Sequence, residues 1–310
     1  MNKFYYNFII LFFIASSVCV LQAKEEKRQC GMKRDYWLYT PETIDKEQTY
    51  WLVVGVHGFR GAGKGAAGLA GWANKMDNVI VIGPTFPSTG PYYQMLQGNT
   101  DKQLIELFKK LYKEFKLHKK MFIYGFSGGS QFSHRFAQQY PSLIIGLSSH
   151  SGGTWDSAPS KNSSSFLWTI SCGLKDTATS IGANKPRIDY FRLFNQNMIK
   201  TKAYACKPFV TNQGHGRARE VYENTQECFR VATTGLFDYQ RQETEGMSIK
   251  DRDKWLRNDK KSYSYQTFED GVNKIKIKAN PDGWTYGKKA LSLMKSTRKI
   301  LDKMNKTKLK

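Results

Sequence analysis

The sequence of 310 residues contains no internal repeat, and its longest uninterrupted apolar runs fall short of the ~20 residues that a membrane-spanning helix needs. Acids are few: 26 Asp and Glu stand against 48 Lys and Arg, giving a formal net charge of +22. That imbalance favours anionic partners, yet no nucleic-acid-binding motif accompanies it. The glycine-rich stretch Gly61-Ala62-Gly63-Lys64-Gly65 lacks both the spacing and the Lys-Ser or Lys-Thr pair of a phosphate loop, which removes that reading. Histidine and cysteine are scarce, with five of each, so any site using them can be approached by elimination.

Residues 1–23 have the pattern of a secretory signal peptide. Lys3 precedes an apolar run over residues 8–14, small residues follow at Ala15, Ser16 and Ser17, and cleavage is expected after Ala23. Export to the periplasm or the exterior follows, with no transmembrane span in the mature chain. Cys30, Cys172, Cys206 and Cys228 remain after cleavage, and an even number in an exported protein predicts two disulfides, with all three pairings open. The rest divides into a larger domain over 24–235 and a basic C-terminal extension over 236–310, where charge replaces apolar periodicity. Within residues 288–310 nine Lys or Arg face the single acid Asp302, a segment suited to contact with an anionic surface.

Through the larger part, short β-rich runs alternate with helix-like segments. Strands are predicted at 36–39, 51–56, 79–82, 120–124, 166–170 and 203–210. Helices are predicted at 66–76, 102–115, 131–137, 188–199 and 217–231. This alternation predicts an α/β fold with a mostly parallel central sheet and helices on both faces.

The most informative residues are Gly125-Phe126-Ser127-Gly128-Gly129, which lie between a β-rich run and a helix-like stretch. That context reads as a nucleophile elbow, a strained strand-to-helix turn that lifts a serine hydroxyl clear of the sheet. A serine needs a base, an orienting acid and donors for the oxyanion. Asp176 follows a predicted strand in Gly173-Leu174-Lys175-Asp176 and is the candidate acid, with Asp156 as a competitor one strand earlier. His215, in Gly214-His215-Gly216, is the candidate base, because it follows the acid in a loop that precedes a helix. The backbone amides of Phe59 and Gly128 are the candidate oxyanion donors. His57 is expected to hold the Phe59 loop.

The His57-Gly58 loop, the elbow, the Gly173 to Asp176 segment and the Gly214-His215-Gly216 turn together resemble the α/β-hydrolase superfamily. Within it the chain looks like secreted esterases grouped with polyhydroxybutyrate depolymerases and feruloyl or acetylxylan esterases. The resemblance covers residues 36–234 and implies hydrolysis of a carboxylic ester through an acyl-enzyme, with no metal or organic cofactor. It implies a feruloyl or acetyl ester on polysaccharide, or a polyester, as the substrate. Tyr92, Phe126 and Trp155 are candidate substrate-binding residues. Two alternatives stay open: a serine peptidase of the same fold, and a catalytically silent binder of anionic polysaccharide.

Overall fold

Three strands with buried apolar runs fix the centre of the fold: β3 (Tyr50–Val56), β4 (Val79–Pro84) and β5 (Leu117–Phe126), whose apolar run begins at Met121 after His118, Lys119 and Lys120. Runs this uniformly apolar must be covered on both faces, which is the condition of a parallel sheet. The computed structural model describes residues 23–233 apart from 32–33, 77, 88–91, 156–165, 181–182, 201–205 and 212. The predicted signal segment before residue 23, the competing Asp156, and the extension 236–310 with its basic end at 288–310 lie outside the described residues.

Two further strands, β1 (Lys24–Cys30) and β2 (Arg34–Thr40), precede the central three. Three more follow them: β6 (Ile144–His150), β7 (Leu167–Gly173) and β8 (Cys206–Thr211). They form one eight-stranded sheet in the order β1-β2-β4-β3-β5-β6-β7-β8. The β1–β2 and β2–β4 pairs are antiparallel, and every pair from β4 to β8 is parallel. All six parallel strands therefore end at one edge, and the loops that leave them gather there.

Alternation along β5 shows how both faces are covered. Phe122 meets Trp72 of α1 (Trp72–Lys75) and Phe229 of α5 (Arg219–Thr233), while Tyr124 meets Tyr222 of α5. Gly125 points the other way, against α3 (Gly128–Gln139). On that side α3 carries His134 to Phe194 of α4 (Arg187–Lys200). Tyr140, at the end of α3, donates to Asp101 of α2 (Thr100–Glu114) at 2.5 Å.

Three expectations need correction. The predicted helix 66–76 is a 3-10 turn (Lys64–Gly68) followed by the single turn α1. Gly65, Ala66 and Ala67 take positive φ there because the chain presses onto the sheet: a Cβ on Gly55 would lie 1.9 Å from the Ala66 carbonyl oxygen. β1 was not predicted, since its Lys-Glu-Glu-Lys-Arg-Gln-Cys sequence carries no strand signal; antiparallel pairing along all of β2 creates it. The two disulfides also fail, because Cys30, Cys172 and Cys228 are free thiols. Cys30 takes part in hydrogen bonds with Gln103 and the Arg34 carbonyl on the sheet edge, and Cys228 is buried beside the Leu147 carbonyl. Register separates the fourth cysteine from Cys172, because Cys206 lies beside Trp168 and Cys172 beside Val210, a strand offset of about 13 Å.

Candidate active site

Ser127 sits between β5 and α3 with φ 55° and ψ −115°, a conformation that L-residues avoid. The turn is tight enough that a Cβ on Gly129 would lie 2.2 Å from the Val56 carbonyl oxygen, so only glycine fits there. The Ser127 amide donates to the His150 carbonyl at 2.9 Å, which extends the β5–β6 pairing to the elbow itself.

Three loops converge on the hydroxyl. His215 Nε2 lies 3.0 Å from Ser127 Oγ, and His215 Nδ1 lies 2.8 Å from Asp176 Oδ2. The Asp176 side chain is fully buried, and its other oxygen, Oδ1, accepts from Arg187 Nη1 at 3.2 Å. Burial alone pushes this carboxyl group up, but His215 and Arg187 together outweigh that and hold it below its ordinary value. The loops are tied to each other as well, since the Leu174 and Lys175 amides donate to the Thr211 and Gln213 carbonyls.

The fourth loop leaves β3. A Cβ on Gly128 would lie 2.9 Å from the Phe59 amide nitrogen, so the two backbone segments abut beside Ser127. Neither the Phe59 nor the Gly128 amide donates to another described residue. His57 fixes this loop: its Nδ1 donates to the Gly58 carbonyl at 2.7 Å, and its Nε2 accepts from the Phe86 amide at 2.9 Å. Tyr93 adds a bond from its hydroxyl to the His57 carbonyl at 2.9 Å. Burial lowers the His57 pKa, which favours the neutral ring that this donor-and-acceptor pattern requires.

Of the candidate substrate residues, Phe126 lies between His150 and His215, with ring centroids 5.8 and 5.0 Å away. Tyr92 is half exposed beside the same group of loops. Trp155 is elsewhere: only 6% exposed, it packs between His134 and Phe194 at 4.9 Å from each. Its assignment to substrate binding is corrected, because the indole is a core side chain packed against α3 and α4.

Two residues of the site were not assigned to it from the sequence. One is Arg187, eleven residues beyond Asp176 and at the start of α4. The other is His150, which is fully buried, with Nε2 donating to the Gly216 carbonyl at 2.7 Å and Nδ1 accepting from the Ser171 hydroxyl at 2.8 Å. Burial brings its pKa down to about 4. His150 thus holds the loop of the candidate base with its side chain and the elbow serine with its carbonyl. Its position at the end of a buried strand was the available signal. Among the described residues no group of three or more His, Cys, Asp or Glu is arranged to hold a metal ion, and no helix is long and apolar enough to cross a membrane.

No family model matches the sequence, and no curated protein matches it. Solved structures do resemble it. A ferulic acid esterase aligns over 69% of this chain and 99% of its own, at 16% identity and a TM-score of 0.55. The poly(3-hydroxybutyrate) depolymerase of Bordetella parapertussis aligns over 69% of this chain and 91% of its own, at 15% identity and a TM-score of 0.51. Poly(aspartic acid) hydrolase-1 from Sphingomonas sp. KT-1 aligns over 63% of this chain and 94% of its own, at 18% identity and a TM-score of 0.51. Together with the strand order and the elbow, these likenesses establish the fold expected from the sequence.

Proposed function

On this α/β-hydrolase fold, we propose that the chain is an exported serine hydrolase that cleaves carboxylic esters through an acyl-enzyme. The observation that carries the reading is the continuous relay from Ser127 Oγ through His215 to the buried Asp176, at 3.0 and 2.8 Å. In this reading His215 Nε2 takes the Ser127 proton as the serine oxygen attacks the ester carbonyl. Asp176 fixes the imidazole with Nδ1 protonated and stabilises the imidazolium that forms, and Arg187 keeps Asp176 ionised.

Negative charge develops on the former carbonyl oxygen, where the Phe59 and Gly128 amides are free to receive it. His215 returns its proton to the leaving alkoxide, and the alcohol departs. Water then attacks the acyl-enzyme by the same route, with His215 again as base, and releases the acid. The reaction needs no redox change and no external group. The likeness to a ferulic acid esterase and a poly(3-hydroxybutyrate) depolymerase supports ester substrates, and polysaccharide-linked feruloyl or acetyl esters and polyesters are the classes proposed for this chain.

The test is covalent. A fluorophosphonate probe should label the protein of residues 24–310 at Ser127, and 4-nitrophenyl butyrate should be hydrolysed, with both lost in Ser127→Ala. Labelling or hydrolysis that survives in that variant would overturn the assignment. Cleavage of peptides in preference to esters would replace it with the peptidase reading.

A further inference from the structure

The loops at the carboxyl ends of the strands carry a lopsided charge. Across residues 57–63, 92–99, 151–155, 173–180 and 213–218 there is one carboxylate, Asp176, and it is buried and engaged with His215 and Arg187. Three cations stand exposed on three different loops of the same group: Arg60 beside Phe59, Lys175 beside Asp176, and Arg217 two residues beyond His215. None of the three forms an ion pair with a described residue. In residues 156–165 the sequence adds one acid, Asp156, and one base, Lys161, which leaves the balance unchanged.

Two of these cations are anchored. The Arg60 guanidinium lies 5.5 Å from the centre of the Phe59 ring, and Arg217 lies 5.5 Å from that of Phe126. Arg60 also holds φ 60°, a backbone state that other residue types adopt more readily. A cleft of about 400 Å³ opens beside Arg217, lined by Gln213, Gly214, His215, Gly216, Arg217 and Ala218. Arg217 also lies within hydrogen-bonding reach of the Tyr222 hydroxyl, but a guanidinium carries five N–H donors, and those not used there match the two oxygens of a carboxylate.

We propose that the substrate of this site carries a carboxylate near the scissile ester, held by Arg217 and attracted by the combined field of Arg60, Lys175 and Arg217. This rests on the ester-hydrolase reading and adds to it the charge of the substrate. Like-signed cations around a cleft raise the local concentration of an anion and speed its arrival, an effect that salt weakens. The carboxylate can belong to the acyl half or to the alcohol half of the ester, and matched probes separate the two.

The experiment compares kcat/KM for mono-4-nitrophenyl adipate with 4-nitrophenyl hexanoate, and for 3-acetoxybenzoate with its methyl ester. Each rate is divided by that of the hydroxide reaction. One of the two pairs should favour the anion by about tenfold or more at low salt, with the ratio falling as ionic strength rises. Arg217→Gln should cut that ratio at least about fivefold, and Arg217→Lys should retain more of it. Ratios near one in both pairs, or ratios unmoved by salt and by Arg60→Gln, Lys175→Gln and Arg217→Gln, would overturn the inference while the ester-hydrolase reading stood. An absence of turnover on all four esters together with an absence of fluorophosphonate labelling would overturn both.

Discussion

The outer edge of the sheet and the loops above Ser127 use charge in opposite ways. Along β1 and β2, Lys27 meets Asp35 at 2.6 Å, and Arg28 meets both Glu26 at 2.7 Å and Glu114 at 2.6 Å. These pairs lie on an exposed antiparallel edge, where charged side chains discourage another strand from adding on. Above Ser127 the exposed cations have no carboxylate among the described residues. There, too, Arg60, Ser127 and Ser151 hold positive φ. Backbone strain and unpaired charge both cost stability, and both occur together in the loops around Ser127. The edge is arranged for the folded state, and the loops for what enters them.

The sharpest break between the two regions is Ser127→Ala. Turnover should fall about 10⁴-fold or more, while the thermal midpoint stays within a few degrees, because the hydroxyl supports the relay and no core contact. Steady-state assays and calorimetry on the same preparation would check it. A large loss of stability instead would mean that the serine holds the turn.

His150→Phe should act on both properties, because it removes the donor to the Gly216 carbonyl from a buried position. We expect kcat to fall about 10- to 100-fold with a smaller change in KM, and the thermal midpoint to drop. His150→Gln, which can present an amide N–H to the same carbonyl, should recover part of both. Equal kcat in the Phe variant would remove His150 from the positioning of His215.

Acid should weaken the loops before it weakens the edge. The His150 pKa is lowered to about 4 in the fold, and the unfolded ring titrates near its ordinary value of 6.5. Between those values the unfolded chain binds the extra proton, so the contribution is fully present above pH ~6.5 and is lost as the pH falls towards ~4. The shift corresponds to roughly 3 kcal/mol, and burial of His57 acts in the same direction. Denaturant midpoints across that window should fall in the wild type and fall less in His150→Gln. At the edge, Arg28→Ala should cost under about 1 kcal/mol and leave turnover unchanged, since exposed ion pairs contribute little.

The contrast also separates what the sequence could tell from what it could not. β3, β4 and β5 were legible because uniform apolar runs have one solution in a sheet, and the elbow because five residues prescribe a turn. Asp176 and His215 followed from their order behind Ser127, and the fold brings both to its hydroxyl. β1 was hidden because its pairing partner, and not its own composition, makes it a strand. The break after Gly63 was hidden because the requirement is the close approach of Ala66 to Gly55, a contact between distant segments. Trp155 misled for a similar reason: an aromatic residue beside glycines in a loop can turn into the core as easily as towards a ligand. Arg187 acts through side-chain bonds that no local pattern encodes, and His150, although its place at the end of a buried strand was visible, acts on a loop 66 residues away.

The bond from the Ser127 amide to the His150 carbonyl implies an order of failure on heating. Ser127 is held by a rung of the central sheet, so its amide should exchange with solvent as slowly as the core, through global opening. The loop of His215 is tied to the loop after β7 by the Lys175 amide and to β6 by one imidazole, so it should open before the sheet does. On the proposed function, activity should therefore be lost at a temperature below the melting point and return on cooling from that interval, because what has come apart is the loop of His215 while the turn that carries Ser127 is still folded.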